Sequence, residues 1–395
     1  MSNRISLFKA TSPAEHSVFV ISLAGAIIMA VVMGLGRFFF TPVLPSMMAD
    51  LSMGPAEAGF IASANYAGYL LGAIAAAFSW AEGIERKVAM AGLVATIVLL
   101  AAMAVSSDLS MFVLIRFLAG FASALAMILA SSLVLSVGVA QGKPSVQAVH
   151  FGGVGLGIAT SAALFAAVVF FEGGWRASWI VAAGISGLGL LYAWRYLPRS
   201  VSRIETMEKE PALIWNRPLA ALTLSYGLFG FGYIVTATFL VAIVRDSGGS
   251  SSFEALVWLA TGLAAAPSVA YWGPVARRLG PTVTYIIGCL VQAFGVAASV
   301  LLPLPFGPLI GGILLGGTFV MMTAYGLQAG RVFAHRSPRR LFAMMTAAFG
   351  LGQIIGPVVA GILADYSGNY VLASLSAVAA LLVSAGLAWP IRHSR

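Results

Sequence analysis

The chain has 395 residues, 60% of them hydrophobic and only 9% charged. A soluble domain carries about 25% charged residues, so this composition excludes an ordinary water-soluble globule and asks for lipid as the solvent. The net charge of +9 would suggest nucleic acid in a soluble protein, and the lone Cys289 excludes an intrachain disulfide.

Apolar runs fall at 18–47, 56–79, 88–106, 111–140, 145–171, 175–196, 218–245, 253–275, 282–302, 306–333, 339–363 and 369–390. Each is long enough to cross a hydrocarbon core of about 30 Å as a helix. None alternates with the two-residue period of a membrane strand. The first run is too long for the apolar core of a cleavable signal and is expected to be retained. The one long connection, rich in charge, follows the sixth run. The expected fold class is therefore all-α integral membrane, with twelve transmembrane helices in two six-helix bundles. The expected divisions are 1–196, a cytoplasmic linker 197–217, and 218–395.

The basic residues then find their reason. With the N-terminus in the cytoplasm, 18 of the 22 lysines and arginines lie on the cytoplasmic side and two, Arg176 and Arg245, on the other. Cytoplasmic loops of membrane proteins carry such an excess. Both termini are expected in the cytoplasm, and nucleic acid is not needed as a partner. The remaining two cations, Arg37 and Arg116, fall inside spans. All thirteen acidic residues fall in loops or at span ends.

The two sets of six runs repeat each other. Gly34-Leu-Gly36 in the first run matches Gly230-Phe-Gly232 in the seventh, and Gly120 in the fourth matches Gly316 in the tenth, both at an offset of 196. Gly155-Leu-Gly157 in the fifth matches Gly350-Leu-Gly352 in the eleventh at 195. Parallel halves related by an axis along the membrane normal are a known transporter architecture.

Three local patterns resemble the major facilitator superfamily. They are Arg116-x-x-x-Gly120 in the fourth run, Gly352-x-x-x-Gly356-Pro357-x-x-x-Gly361 in the eleventh, and Gly273-Pro274-Val-Ala-Arg277-Arg278-Leu-Gly280 after the eighth. The last departs from the family in placing Arg277 where an aspartate is usual. The first-half counterpart keeps only Glu82, Arg86 and Lys87 of the loop pattern. More narrowly, Gly34-Leu-Gly-Arg37-Phe-Phe-Phe-Thr41-Pro42-Val-Leu-Pro45, with Ser63-Ala-Asn65-Tyr66-Ala-Gly68-Tyr69, is similar to the YbfB/YjiJ-like branch. The resemblance implies the major facilitator fold and secondary transport by alternating access. It makes Glu82, Arg86, Lys87, Arg277 and Arg278 candidate gating-loop residues.

Charge inside a membrane is costly and usually functional. Arg37 sits about 15 Å deep at 1.5 Å per residue, too deep for easy snorkelling, and its planar fork suits a carboxylate or phosphate. The alternative is an arginine satisfied by backbone carbonyls or by the broken end of a neighbouring helix. Arg116 lies nearer the outer end, within expected reach of Asp108 or Asp50, on a stripe of small residues that suits helix packing. Asn65, Tyr66, Tyr226, Tyr233, Thr318, Tyr325 and Gln328 join the two arginines as candidate substrate-binding residues, and Gln353 is a further polar group on an apolar run. Tyr233 stands opposite Arg37 in the repeat. His150 is the candidate proton relay. Pro267 and Pro357, with the many glycines, are expected to mark kinks or close approaches of helices.

No ATP-binding loop is present: Gly138-Val-Ala-Gln-Gly142-Lys143-Pro144 has the wrong spacing and ends in proline. No catalytic residues, metal or cofactor are expected. The expected function is a secondary transporter of a small solute, an organic anion by charge complementarity. An efflux pump for amphipathic compounds is the alternative, and a membrane sensor or scaffold on the same fold is another. A monomer in the bacterial inner membrane is expected.

Overall fold

A computed structural model describes residues 17–143, 145–199, 211–334 and 337–392. Most of the linker, 200–210, and the outermost residues of both termini lie outside the described residues. The described helices are α1 (Val18–Met29), α2 (Phe40–Leu51), α3 (Pro55–Ala76), α4 (Glu85–Met103), α5 (Leu109–Ala140), α6 (Ser145–Phe170) and α7 (Trp175–Tyr196) in the first half. The second half holds α8 (Arg217–Asp246), α9 (Ser251–Ala265), α10 (Ser268–Leu279), α11 (Pro281–Leu301), α12 (Phe306–Arg331), α13 (Pro338–Ser367) and α14 (Val371–Ala388). Eleven of the described helical segments are long and apolar enough to cross a membrane, and the bent pair α9–α10 makes twelve if counted as one span. The all-helical, two-bundle architecture is the one expected.

Two of the spans depart from a regular helix and carry proline there, although Val18–Leu51 remains one span. In the eighth, Pro267 separates α9 from α10 at a bend of 47°. In the first, α1 runs into a π-helical segment, Ala30–Leu35, then a turn at 36–39, before α2 begins. Pro42 has no N–H to offer the carbonyl four residues earlier, and its ring would press on that carbonyl. Phe38 O accepts from Thr41 N instead, at 3.1 Å. Pro42 is then tolerated in the first turn of the new helix, where its N–H would have no intrahelical partner anyway. Pro357, by contrast, leaves α13 continuous.

Such a break frees backbone carbonyls where no water can reach them. Each buried unsatisfied carbonyl costs about 1–3 kcal/mol. Here Arg116 supplies the donors: its Nη1 bonds Gly36 O at 2.8 Å and its Nη2 bonds Arg37 O at 2.9 Å. Arg116 is 1% exposed and neither snorkels nor meets an acid. Asp108 instead caps its own helix at Met111 N, and Asp50 accepts from Trp175 Nε1. The expectation that Arg116 reaches Asp108 or Asp50 is thus corrected. Backbone satisfaction, foreseen as the alternative for Arg37, is the work of Arg116.

Close backbone packing explains the repeated glycines. A Cβ on Gly120 would overlap Asn65 O, and one on Gly316 would overlap Thr261 O. Both partners of each pair are displaced by the same 196 residues. Gly155 lies against Ala266 and Gly350 against Leu70, which are each other's counterparts with the halves exchanged. On the axis itself Thr41 Oγ1 donates to Ala237 O, its own counterpart, at 2.6 Å. The pseudo-two-fold relation is therefore present in the contacts as well as in the sequence.

The halves meet along α3 with α13, α6 with α9, and α2 with α8. Besides Thr41, the links between them include Tyr66 Oη with Thr238 Oγ1 (3.3 Å), Ser63 Oγ to Ile354 O (2.7 Å), Trp258 Nε1 to Ser161 Oγ (3.0 Å) and Ala56 N to Asp365 Oδ2 (3.0 Å). These lie between the middle of the spans and the end away from the linker, termed here the far end. Beyond Pro267, α10 packs chiefly on α11 and α12 of its own half.

Arg116→Gln should leave two carbonyls short of donors and lower the thermal stability of the purified protein sharply, with Arg116→Lys intermediate because an ammonium cannot fork to both. Thermal melting followed by size-exclusion chromatography measures this. An Arg116→Gln protein as stable as the parent would contradict the role assigned to that side chain.

Candidate functional site

The break in the first span also sets the position of Arg37. Residue 37 lies in the turn between α1 and α2. The rings of Tyr66 and Tyr69, three residues apart on α3, lie 4.7 and 4.5 Å from its Cζ, and that of Phe38 lies 5.6 Å away. Arg37 is 3% exposed.

Its Nε and Nη2 are shielded from solvent and have no hydrogen-bond partner. Among the described residues it forms no ion pair. Nε–H and Nη2–H share one edge of the planar guanidinium, and such an edge takes both oxygens of a carboxylate at once. The protein shows that chemistry elsewhere. Arg245 uses the same edge on the fully buried Glu254, with Nε–Oε1 at 2.5 Å and Nη2–Oε2 at 2.8 Å. That pair and Arg176–Asp50, at 3.4 Å, both sit at the far end. At Arg37 aromatic faces cover the plane of the cation while the donors along its edge remain unused.

Across the pseudo-axis Tyr233, 3% exposed, is stacked between Phe319 (5.8 Å, 2°) and Phe349 (5.5 Å, 6°). Gln353 Nε2 donates to its hydroxyl oxygen, which leaves the Tyr233 proton for another acceptor. Phe38 meets Phe319 edge-on at 5.9 Å. A layer of rings thus runs from Arg37 through Phe38 and Phe319 to Tyr233.

Of the expected residues, the structure sets Tyr66 against Arg37, with Tyr233 beyond Phe38 and Phe319. Arg116 stands behind Arg37 as the clamp on its backbone, and Asn65 Nδ2 holds Arg116 O in turn at 2.9 Å. Others are engaged within their own bundle: Tyr226 Oη donates to Thr323 O at 3.0 Å and Thr318 Oγ1 to Leu314 O at 2.6 Å. Tyr325 is buried in α12, and Gln328 is exposed three residues on. His150 is fully buried, with Nε2 2.7 Å from Ser131 Oγ and its ring against Phe151.

The loop residues do not bridge the halves. Arg86 Nε donates to Leu197 O at 3.0 Å and its Nη2 to Trp194 O, so it closes the carbonyl end of α7. Glu82, Lys87, Arg277 and Arg278 are exposed. Tyr69, Phe319 and Phe349 were not singled out by sequence. The spacing of Tyr69 from Tyr66 was the available signal, since residues three apart share a helix face. Nothing local marked the two phenylalanines.

Comparison with solved structures finds the same fold. A point mutant of the nucleoside transporter NupG superposes with a TM-score of 0.71 at 15% identity, covering 94% of this chain and 98% of that one. A bacterial homologue of the human lysosomal transporter Spinster, described as inward-facing and unoccupied, gives 0.71 at 13% identity over 98% of both chains. A second NupG structure gives 0.68 at 15% identity, over 94% of this chain and 97% of that one. No curated protein matches the sequence. A family model described as uncharacterised MFS-type transporter YbfB matches residues 29–389. With nearly the whole chain matched, this is a membrane transporter of the major facilitator superfamily and belongs to its YbfB family.

Proposed function

We propose that this protein carries a small organic anion by alternating access, and that the Nε–Nη2 edge of Arg37 receives the anionic group. The observation that carries the reading is that buried, unpartnered edge. Holding a guanidinium away from water costs several kcal/mol. The aromatic faces return about 0.5–2 kcal/mol each, so they offset part of that cost and leave the edge donors unsatisfied. A carboxylate would complete them, as Glu254 does for Arg245. The Tyr233 hydroxyl would donate to the same anion from the other half, so that the ligand touches both bundles. A neutral amphipathic compound would leave the edge of Arg37 without acceptors, which sets the efflux alternative second.

In this reading the bundles 1–196 and 218–395 rock against each other, tethered by 197–217. The excess of Lys and Arg at the linker end supports a cytoplasmic linker. The far-end links through Thr41, Ser63, Tyr66 and Asp365 then support a conformer closed toward the outside.

Two measurements test this. Purified protein in vesicles is offered a panel of labelled small carboxylates beside matched neutral analogues. Arg37→Gln should abolish carboxylate transport per folded molecule with an unchanged size-exclusion profile. Arg37→Lys should impair it strongly, and Tyr233→Phe should raise the apparent KM roughly tenfold, the equivalent of about 1.4 kcal/mol. Normal carboxylate transport per folded Arg37→Gln molecule would end the anion reading. For orientation, reporter fusions at Asp108 and Glu205 should report opposite sides, Glu205 cytoplasmic; the same side for both would refute it.

A further inference from the structure

On its membrane-facing surface the first half carries a groove of about 810 Å³ that the transport mechanism does not use. Its floor is formed by small residues, Ala91 and Ala95 of α4 and Ala122 of α5, and its walls by exposed apolar side chains such as Val94, Val98 and Leu118. Gly92 permits this closeness, since a Cβ there would stand 2.7 Å from Ala122 O. The groove begins at Arg86, Lys87 and Trp194, at the linker end, and reaches Leu99. From residue 86 to 99 the helix rises about 20 Å, enough to cross one leaflet of a hydrocarbon core about 30 Å thick.

The mouth of the groove is basic. Lys87 is exposed and has no ion-pair or hydrogen-bond partner among the described residues. Arg86 is committed to the end of α7, and Arg199 follows two residues after its acceptor Leu197. Glu82 and Glu85 are near in sequence, but neither pairs with Arg86 or Lys87, and Glu85 Oε1 accepts from Gly83 N at 3.0 Å. Trp194, 62% exposed, supplies the amphipathic ring found at membrane interfaces.

We infer that this groove binds one anionic phospholipid, its phosphate at Lys87 and Arg86 and one acyl chain along the α4–α5 trough. Basic pockets beside membrane helices on the cytoplasmic side take such head groups. The apolar length below the basic mouth suits a chain rather than a free phosphate, and the surface faces the phase in which that lipid is dissolved. The lipid would tie α4 to α5 and screen the like charges of Arg86, Lys87 and Arg199.

The test uses full-length protein in a neutral detergent, titrated with phosphatidylglycerol or phosphatidylcholine and read by native mass spectrometry. Wild type should retain a single phosphatidylglycerol in preference to phosphatidylcholine. Lys87→Gln should weaken phosphatidylglycerol at least fivefold, and so should Ala95→Trp, which fills the trough and leaves the basic mouth intact. Lys143→Gln, an exposed charge at the same end outside the groove, should change nothing. Equal binding of the two lipids by wild type would overturn the inference, as would either groove variant binding like wild type. Loss in Lys87→Gln alone would assign the contact to a surface charge without a chain site. Inorganic phosphate competing as well as the lipid would assign it to a free anion.

Discussion

In hydrocarbon every backbone carbonyl has to find a donor within the protein, and the organisation of this molecule turns on one place where a helix fails to supply it. The regular hydrogen-bond ladder of the first span is interrupted at residues 36–39, and Arg116, reaching over from α5, closes two carbonyls there. The other arginine of the membrane interior, Arg37, is carried by the broken segment itself. One cation secures the backbone so that the other can be presented with donors unused. Asn65 fixes the backbone of Arg116, and the neighbouring Tyr66 covers the face of Arg37 while its hydroxyl reaches Thr238 in the other half. The same short stretch of α3 therefore serves the clamp, the candidate site and the contact between bundles.

The pseudo-two-fold relation shows where the halves part company. Glycine contacts recur in both, and the axis passes between Thr41 and Ala237. The break and its arginines do not recur. Gly312 stands where the repeat would place the counterpart of Arg116, Tyr233 where it would place that of Arg37, and α8 runs unbroken from Arg217 to Asp246. A symmetric scaffold thus holds an asymmetric centre, with a cation and paired tyrosines on one side and a stacked tyrosine with an amide on the other. An anion seated there would be gripped by charge from the first half and by a neutral hydrogen bond from the second. Strong and weak holds on opposite bundles suit a ligand that must be released when the bundles separate.

Much of this was legible in the sequence. Apolar run lengths and the distribution of Lys and Arg identified the spans, because lipid imposes a length on every crossing helix. The glycine repeat was readable because backbone contact excludes any larger residue. Arg37 stood out because charge in a membrane is rare. What sequence could not supply is the local conformation around it. Spacing does not show the interrupted hydrogen bonding before Pro42, nor that Arg116 rather than Arg37 satisfies the carbonyls there. Arg116 was set near Asp108 and Asp50 by sequence distance, while the break, not an acid, attracts it. Tyr69 entered only as part of the branch pattern, and Phe319 and Phe349 not at all, because an aromatic residue in a membrane span looks like any other packing residue until its partners are in place.

The central claim is that the Nε–Nη2 edge of Arg37 receives an anionic group. A structure of the purified protein with a bromine-labelled carboxylate selected from the transport panel, located by its anomalous signal, tests it most directly. The account predicts the carboxylate oxygens at about 2.7–2.9 Å from Nε and Nη2, beside Tyr66 and Tyr69 and within reach of Tyr233. A carboxylate bound elsewhere, with the Arg37 edge paired to a protein acceptor, would contradict it.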